Sequence, residues 1–336
     1  MDVMAALTDV RQRFAGGRER LFVLNGNVND VFPVAGADGA TELCSLAEYV
    51  QRSLSPSSKQ SVSKQRVFAH FSPAFGLRWL KGADTGAEAR MTALLPPPLG
   101  GGNPECYRAP IDFFRMLDRV CTRREAPTDG KGEGRLIPIR AIITEAAFVV
   151  PNVPQTAFLR PEQVEIITML KRFATEREYD VTDTMIVLIT EAISDIHPAI
   201  REVAVTIEVS RPNEREVADY VDNAVTRTKV AVASGAQPQI RKLAVGLTRR
   251  QIENAVAEHV ASKTALDAPE FAARRRELIS RDYGDLLEFI EPSWTLDDVG
   301  GAVEAVAELR QLAEAIKRGD ADIPAGLIGA GQNGVG

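Results

Sequence analysis

Cysteine and histidine are both scarce in this chain, and the scarcity excludes much. Cys44, Cys106 and Cys121 are far apart, odd in number and outside any CxxC spacing, and the three histidines do not cluster. A structural metal cage needs several such ligands close together, so none is expected, and the thiols suit a reducing cytoplasm. His197 and His259 have no second ligand at i+3 or i+4 and read as packing or capping residues. No run approaches the roughly 20 apolar residues that span a bilayer. The N-terminus, MDVMAALTDVRQRF, mixes acidic and basic residues where a secretory signal would be apolar. Nor is positive charge in excess: the formal charge is -6, so no global field draws the chain to nucleic-acid phosphates or anionic lipid. Neither nucleic acid nor a membrane is expected as a partner, and the expected location is cytoplasmic. A repeat at solenoid period and the H-E-x-x-H pair of zincin proteases are also missing.

What is there is an ordinary folded composition, 45% hydrophobic and 26% charged, on a chain long enough for two units. LFVL at 21–24 is an apolar run stopped by the Asn/Gly-rich NGNVND, and RVFAHF at Arg66 to Phe71 is a second; both predict buried strands of one sheet. Within residues 84–110, LLPPPLGGGNPE packs four prolines and three glycines together, which predicts a loop. Ile111, Phe114, Leu117, Val120 and Cys121 then fall at helical spacing, and TDGKGEGR closes that helix in another loop. LIPIRAIITEAAFVV, from Leu136, is a β-branched run of the kind buried on both faces. RPEQVEIITMLKRFATE places Pro161 at a first helical position, with acidic residues early and basic residues late, in accord with the helix dipole. TMIVLIT (Thr184 to Thr190) and VAVTIEV (Val203 to Val209) predict further buried strands. Strands alternating with amphipathic helices imply an α/β fold with a largely parallel sheet. From Pro212 onward only amphipathic helical patterns occur, so a small helical unit succeeds the sheet.

The chemistry-bearing motif lies at the end of the sequence. GLIGAGQNGVG separates Gly331 from Gly336 by the interval of the phosphate-binding loop G-x-x-x-x-G-K-[ST], in which backbone N–H groups curl around an anion. Upstream stands FIEPSWTLDDVGGAVEAVAELR, Phe289 to Arg310. DDVGG, the helix after it, the strand entry PAGLI and GQNGVG together resemble the start of an AAA (AAA+) ATPase domain. The resemblance implies that Asp298, Val299 and Gly300 lie against adenine. Gly331, Gln332, Asn333, Gly334, Val335 and Gly336 would then hold the β- and γ-phosphates. The family's next residues, Lys and Ser/Thr, are not in the sequence, so the chain is expected to be the front of a longer AAA protein, truncated inside this loop.

An earlier copy of the same pattern is worn. MIVLITEAISDIHPAIREVAVTIEVSRPNEREVADYV resembles the family's sensor strand and the segment after it, with Thr190 and Glu191 at the sensor pair and Pro198 to Arg201 at the P-A-[LI]-x-R region. IRAIITEAAF resembles the Walker B strand, with Thr144 in place of the metal-associated Asp and Glu145 at the water-activating position. No G-x-x-x-x-G-K-[ST] precedes it, so phosphoryl transfer in this first domain should fail, leaving Glu145 and Thr190 as relics and no intact catalytic set. LAVGLTRRQIENAVAEHV resembles the family's helical lid. A worn first module joined through LLEFIEP to a better-kept second one is similar to a plastid and bacterial conserved-reading-frame branch of the family.

The resemblance thus implies a P-loop-NTPase-like parallel sheet sandwiched by helices and followed by a helical lid. The expected bounds are 1–210 for the degenerate α/β domain, 211–285 for the lid, and 286–336 for the linker and an incomplete second domain. It also implies ATP and Mg2+ as cofactors of the intact protein, not held tightly by this chain alone, and ATP-driven remodelling of a protein substrate. A homo-oligomer or a partner carrying an AAA domain is implied too. The other reading is a non-enzymatic pseudo-ATPase serving as a docking or assembly module.

Overall fold

A computed structural model describes residues 3–17, 19–36, 39–55, 67–80, 108–122, 138–154, 158–180, 182–283, 295–318 and 324. It divides into two compact units, Met1–Arg275 and Arg276–Gly336. The Pro/Gly-rich stretch up to residue 107 and the TDGKGEGR segment lie outside the described residues.

The first unit is built on β1 (Leu21–Gly26), whose first four residues are all buried. A strand buried at consecutive positions must be covered on both faces, because its side chains alternate. Leu21 and Val23 enter one core with Ala69, Phe71, Ala141, Ile143 and Leu188. Phe22 and Leu24 enter the other with Phe68, Ile142, Val187, Ile189 and Ile207. The six-stranded sheet contains β4 (Val67–Ser72), β5 (Gly76–Leu80), β6 (Ile139–Ile143), β7 (Met185–Ile189) and β8 (Val205–Val209) besides β1. Its order is β5-β4-β6-β7-β1-β8, parallel throughout except for β5, which runs antiparallel to β4 at one edge.

Helices cover both faces. On one lie α1 (Val3–Ala15), burying Val3, Ala6, Leu7 and Val10 at i, i+3, i+4 and i+7, and α2 (Leu46–Leu54). On the other lie α3 (Pro110–Thr122) and α5 (Pro161–Thr175), the latter starting at its proline as predicted. Between β1 and α2 the chain makes a small hairpin, β2 (Phe32–Ala35) with β3 (Thr41–Cys44), which sequence reading did not anticipate.

Two strand expectations need correction. The run expected to continue as strand through Val150 stops at Ile143, and Ala146–Val149 forms a helical turn, α4. The cause is Glu145, whose left-handed backbone (φ 55°) turns the chain out of the sheet. β8, expected to be buried on both faces, is an edge strand: Ile207 and Val209 are buried while Thr206 and Glu208 face outward, a period-two pattern.

After α6 (Pro198–Arg201) and β8 come four helices: α7 (Glu214–Thr228), α8 (Gln237–Leu243), α9 (Arg249–Ser262) and α10 (Ala268–Tyr283). α7 and α9 each begin with a reciprocal capping box, Asn213 with Glu216 and Thr248 with Gln251. The architecture is therefore a mostly parallel α/β sandwich followed by a helical unit, as expected. The second unit holds the end of α10, a short turn at Leu296–Asp298 and the helix α11 (Val303–Arg318). No helix among the described residues is long and apolar enough to cross a membrane.

Candidate functional site

In an open α/β sheet the carboxyl ends of the parallel strands face a crevice where the winding direction reverses. Here β1 leads across to β4 on one side while β7 leads to β8 on the other, so the reversal flanks β1. A cavity of about 350 Å³ opens at this place. Its wall takes Asp30 from the loop after β1, His70 from β4, Thr144 and Glu145 from the end of β6, Thr190 and Glu191 from the end of β7, and Arg250 from α9. The two relic positions, Glu145 and Thr190, are thus brought into one cleft. The start of α2, at Ser45 and Leu46, contributes as well.

Each of these groups is already engaged. Gly26 donates its N–H to Glu191 O at 2.9 Å, Asn27 donates to Val209 O at 2.8 Å, and Val28 donates to Gly26 O at 2.8 Å. The loop after β1 is therefore sewn to the ends of its neighbouring strands by the same N–H groups a phosphate cradle would need free. At the start of α2, Ser45 Oγ accepts from Glu48 N, and the Glu48 carboxylate accepts from Ser45 N at 2.9 Å. A carboxylate of the protein itself thus closes that helix end.

Glu145 Oε2 accepts from Ser72 Oγ at 2.7 Å, and the side chain is otherwise exposed. Thr144, standing where a metal-associated Asp would be, pairs its hydroxyl with His70 Nε2 at 3.2 Å. Thr190 is buried, its N–H donating to Leu24 O at 3.0 Å and its hydroxyl to Ala192 O at 3.4 Å. Glu191 accepts from Asn29 Nδ2 at 2.5 Å. Among the described residues, four carboxylates line the cavity, Asp30, Glu145, Glu191 and Asp195, against the single guanidinium of Arg250.

His70 does not add a second positive charge at neutral pH. Burial, followed by the nearby Arg78, pushes its pKa down to about 4. The unfolded chain protonates its histidines near pH 6.5, so between about pH 6.5 and 4 the unfolded state binds the extra proton. The stability contributed by neutral His70 is therefore present above pH 6.5 and falls away towards pH 4, by up to about 3 kcal/mol. Urea unfolding at pH 7 and pH 4.5 should reveal a smaller loss for His70→Gln than for the unaltered chain; equal losses would show that His70 does not titrate this way.

The other expected site residues fall in the second unit. Asp298 caps the turn at Leu296–Asp298, accepting from Thr295 N at 2.7 Å and Thr295 Oγ1 at 3.0 Å, bonds that lower its pKa. Val299 is half exposed and Gly300 is exposed. Gly331, Gln332, Asn333, Gly334, Val335 and Gly336 lie outside the described residues. His197 caps α6, its Nδ1 accepting from Ala199 N at 3.2 Å, and His259 pairs with Thr264 Oγ1 at 3.0 Å. Among the described residues no group of three or more His, Cys, Asp or Glu could hold a metal ion.

Sequence reading missed Asp30, His70 and Arg250. The Asn/Asp-rich string after β1 was a signal of a structured turn, since such side chains bond their own backbone. Its partner across the cleft is over two hundred residues away and carries no local signal.

A winding reversal beside the first strand, a crevice at the strands' carboxyl ends and helices on both faces of the sheet define a Rossmann-like domain. The family model described as the AAA+ chaperone N-terminal Rossmann-like domain matches residues 4–210, and the chain belongs to that family. AAA+ proteins generally bind ATP with Mg2+. No curated protein matches the chain in sequence. Among solved structures, a chain of the E. coli MS115-1 HORMA:CdnC:Trip13 complex is similar at 12% identity and a TM-score of 0.48. The match covers 86% of this chain and 81% of that one.

Proposed function

We propose that the unit Met1–Arg275 is an AAA+ domain that no longer binds or hydrolyses ATP, and that it serves an AAA+ chaperone as a docking and assembly module. The observation that carries this reading is the charge and bonding of the cleft. Among the described residues four carboxylates line the cleft against one guanidinium, and the N–H groups of Gly26, Asn27 and Val28 are spent on protein carbonyls. ATP carries its charge on the triphosphate, and a site for it gathers cationic side chains and free backbone donors. Here a lysine at the loop and an Asp beside the metal are both lacking, and Thr144 cannot supply the latter's charge. ATP and Mg2+ therefore do not fit this cleft. ATP-driven remodelling is assigned to the complete protein, with nucleotide held at Asp298 to Gly300 and residues 331–336. Such a division of labour agrees with the branch whose first module is worn. The same cleft favours a protein contact: Phe148, at its mouth, is 74% exposed beside the carboxylates. Aromatic rings are enriched in protein interfaces relative to the rest of the surface.

The test is titration of the purified chain with ATP and Mg2+ by calorimetry, together with phosphate release. No saturable binding at millimolar ATP and no turnover are expected. Turnover abolished by Glu145→Gln would overturn the reading for the first domain. Binding lost on Gly334→Asp but kept in Glu145→Gln would leave that reading intact and place nucleotide at the terminal loop.

A further inference from the structure

We infer that Asp30 is a built-in latch: its carboxylate takes the place of a ligand anion and holds the helical unit closed on the sheet at all times. The geometry is specific. Asp30 Oδ1 accepts from Val31 N at 2.9 Å and from Arg250 N at 2.8 Å; Oδ2 accepts from Asn27 Nδ2 at 2.8 Å and from Arg249 Nη1 at 3.4 Å. Each oxygen thus takes one bond from the loop after β1 and one from the first turn of α9. Both its side chain and that of Arg249 are buried, at 0% and 8% exposure.

The donors on the helical side are those that make a helix start an anion site. The N–H of Arg250, at the second position of α9, has no partner within the helix, and the dipole there favours negative charge. Thr248 caps the third position, its hydroxyl accepting from Gln251 N at 3.2 Å, which leaves the second for Asp30. Arg249 also donates to Glu216 Oε1 at 3.2 Å, drawing α7 into the same cluster, and Arg250 Nε donates to Asn29 O at 2.8 Å. Outside this cluster, Asn223 of α7 reaches Thr41 of the β2–β3 hairpin at 3.2 Å. A free anion bound between loop and helices would make these bonds only while present. A carboxylate covalently fixed in the loop makes them permanently, so closure is independent of any solute. The inference concerns contacts inside Met1–Arg275 and stands whether or not the cleft takes nucleotide.

Hydrogen–deuterium exchange in the absence of nucleotide tests it. In Asp30→Ala, exchange of amides in α7 and α9 is expected to rise by ~100-fold while β1, β6 and β7 keep their protection, since sub-global opening is read element by element. Formate at about 0.1 M should restore protection in Asp30→Ala by filling the vacated place between Arg249 and the α9 amide. Asp30→Asn, which keeps the shape and loses the charge, should give the same pattern at about tenfold and carries the comparison if Asp30→Ala does not fold. The latch is overturned if the sheet and the helices gain exchange together, if neither does, or if formate leaves Asp30→Ala unchanged.

Discussion

Replacing Gly26 with alanine is expected to destabilise the protein by about 2–4 kcal/mol, far beyond the usual effect of adding one methyl group. Gly26 closes β1 with φ at +97°, a conformation that costs any residue with a Cβ about 1 kcal/mol or more. Space is the larger problem. A Cβ built there would stand 2.7 Å from Val209 O, and that oxygen is backbone, unable to swing aside. Relief requires β1 and β8 to part, which breaks the Asn27 N to Val209 O bond and loosens the loop that carries Asp30. Gly246 is the control: its φ is +90°, but nothing lies within 4 Å of an added Cβ. Gly246→Ala should therefore cost only about 1 kcal/mol, for the backbone alone. Urea unfolding of both variants measures the difference, and equal losses would mean that the close approach to Val209 is not there.

Phe113→Ala should cost about 3–5 kcal/mol. The ring is fully buried on the inner face of α3, stacked on Phe71 of β4 at 4.7 Å between centroids and edge-on to Phe114 at 5.2 Å. Its loss leaves a cavity between helix and sheet that neither rigid element can collapse to fill. Phe148→Ala removes a ring of the same size from the mouth of the cleft, where it is mostly in water, and should change the stability by no more than about 0.5 kcal/mol. Thermal and urea denaturation separate the two. A large loss from Phe148→Ala would mean that this ring is packed inside the molecule, and would remove it as an interface anchor.

Runs of apolar residues with no alternation announced the inner strands, since LFVL and TMIVLIT have no side that could be left in water. The amphipathic stripes of α1, α3 and α5 were legible for the complementary reason. What failed was local geometry. AAFVV has strand-forming composition, but its conformation is set by the left-handed turn at Glu145 just before it, and glutamate gives no sign of that preference. The β2–β3 hairpin was hidden because Pro33 and two glycines read as loop, although its outer pairing, Phe32 with Cys44, is that of an ordinary antiparallel ladder. In the cleft, Glu145 and Thr190 were found through the resemblance of their segments to the family's Walker B and sensor strands, whose ends they occupy. Asp30 was not, because a carboxylate in an Asn/Asp-rich turn looks solvated until α9 arrives to bury it.

The place of β1 between β7 and β8, two strands late in the sequence, also shapes how the protein is made. As the chain leaves the ribosome, Leu21 to Gly26 emerges long before its two neighbours, because Leu21 pairs with Ile186 and Phe22 with Val205. At translation rates of about 5–20 residues per second, one of the most apolar segments waits on the order of ten seconds for its first strand partner. Contacts so distant in sequence slow the search for the native state, and during that wait the nascent segment is a natural client for holdases.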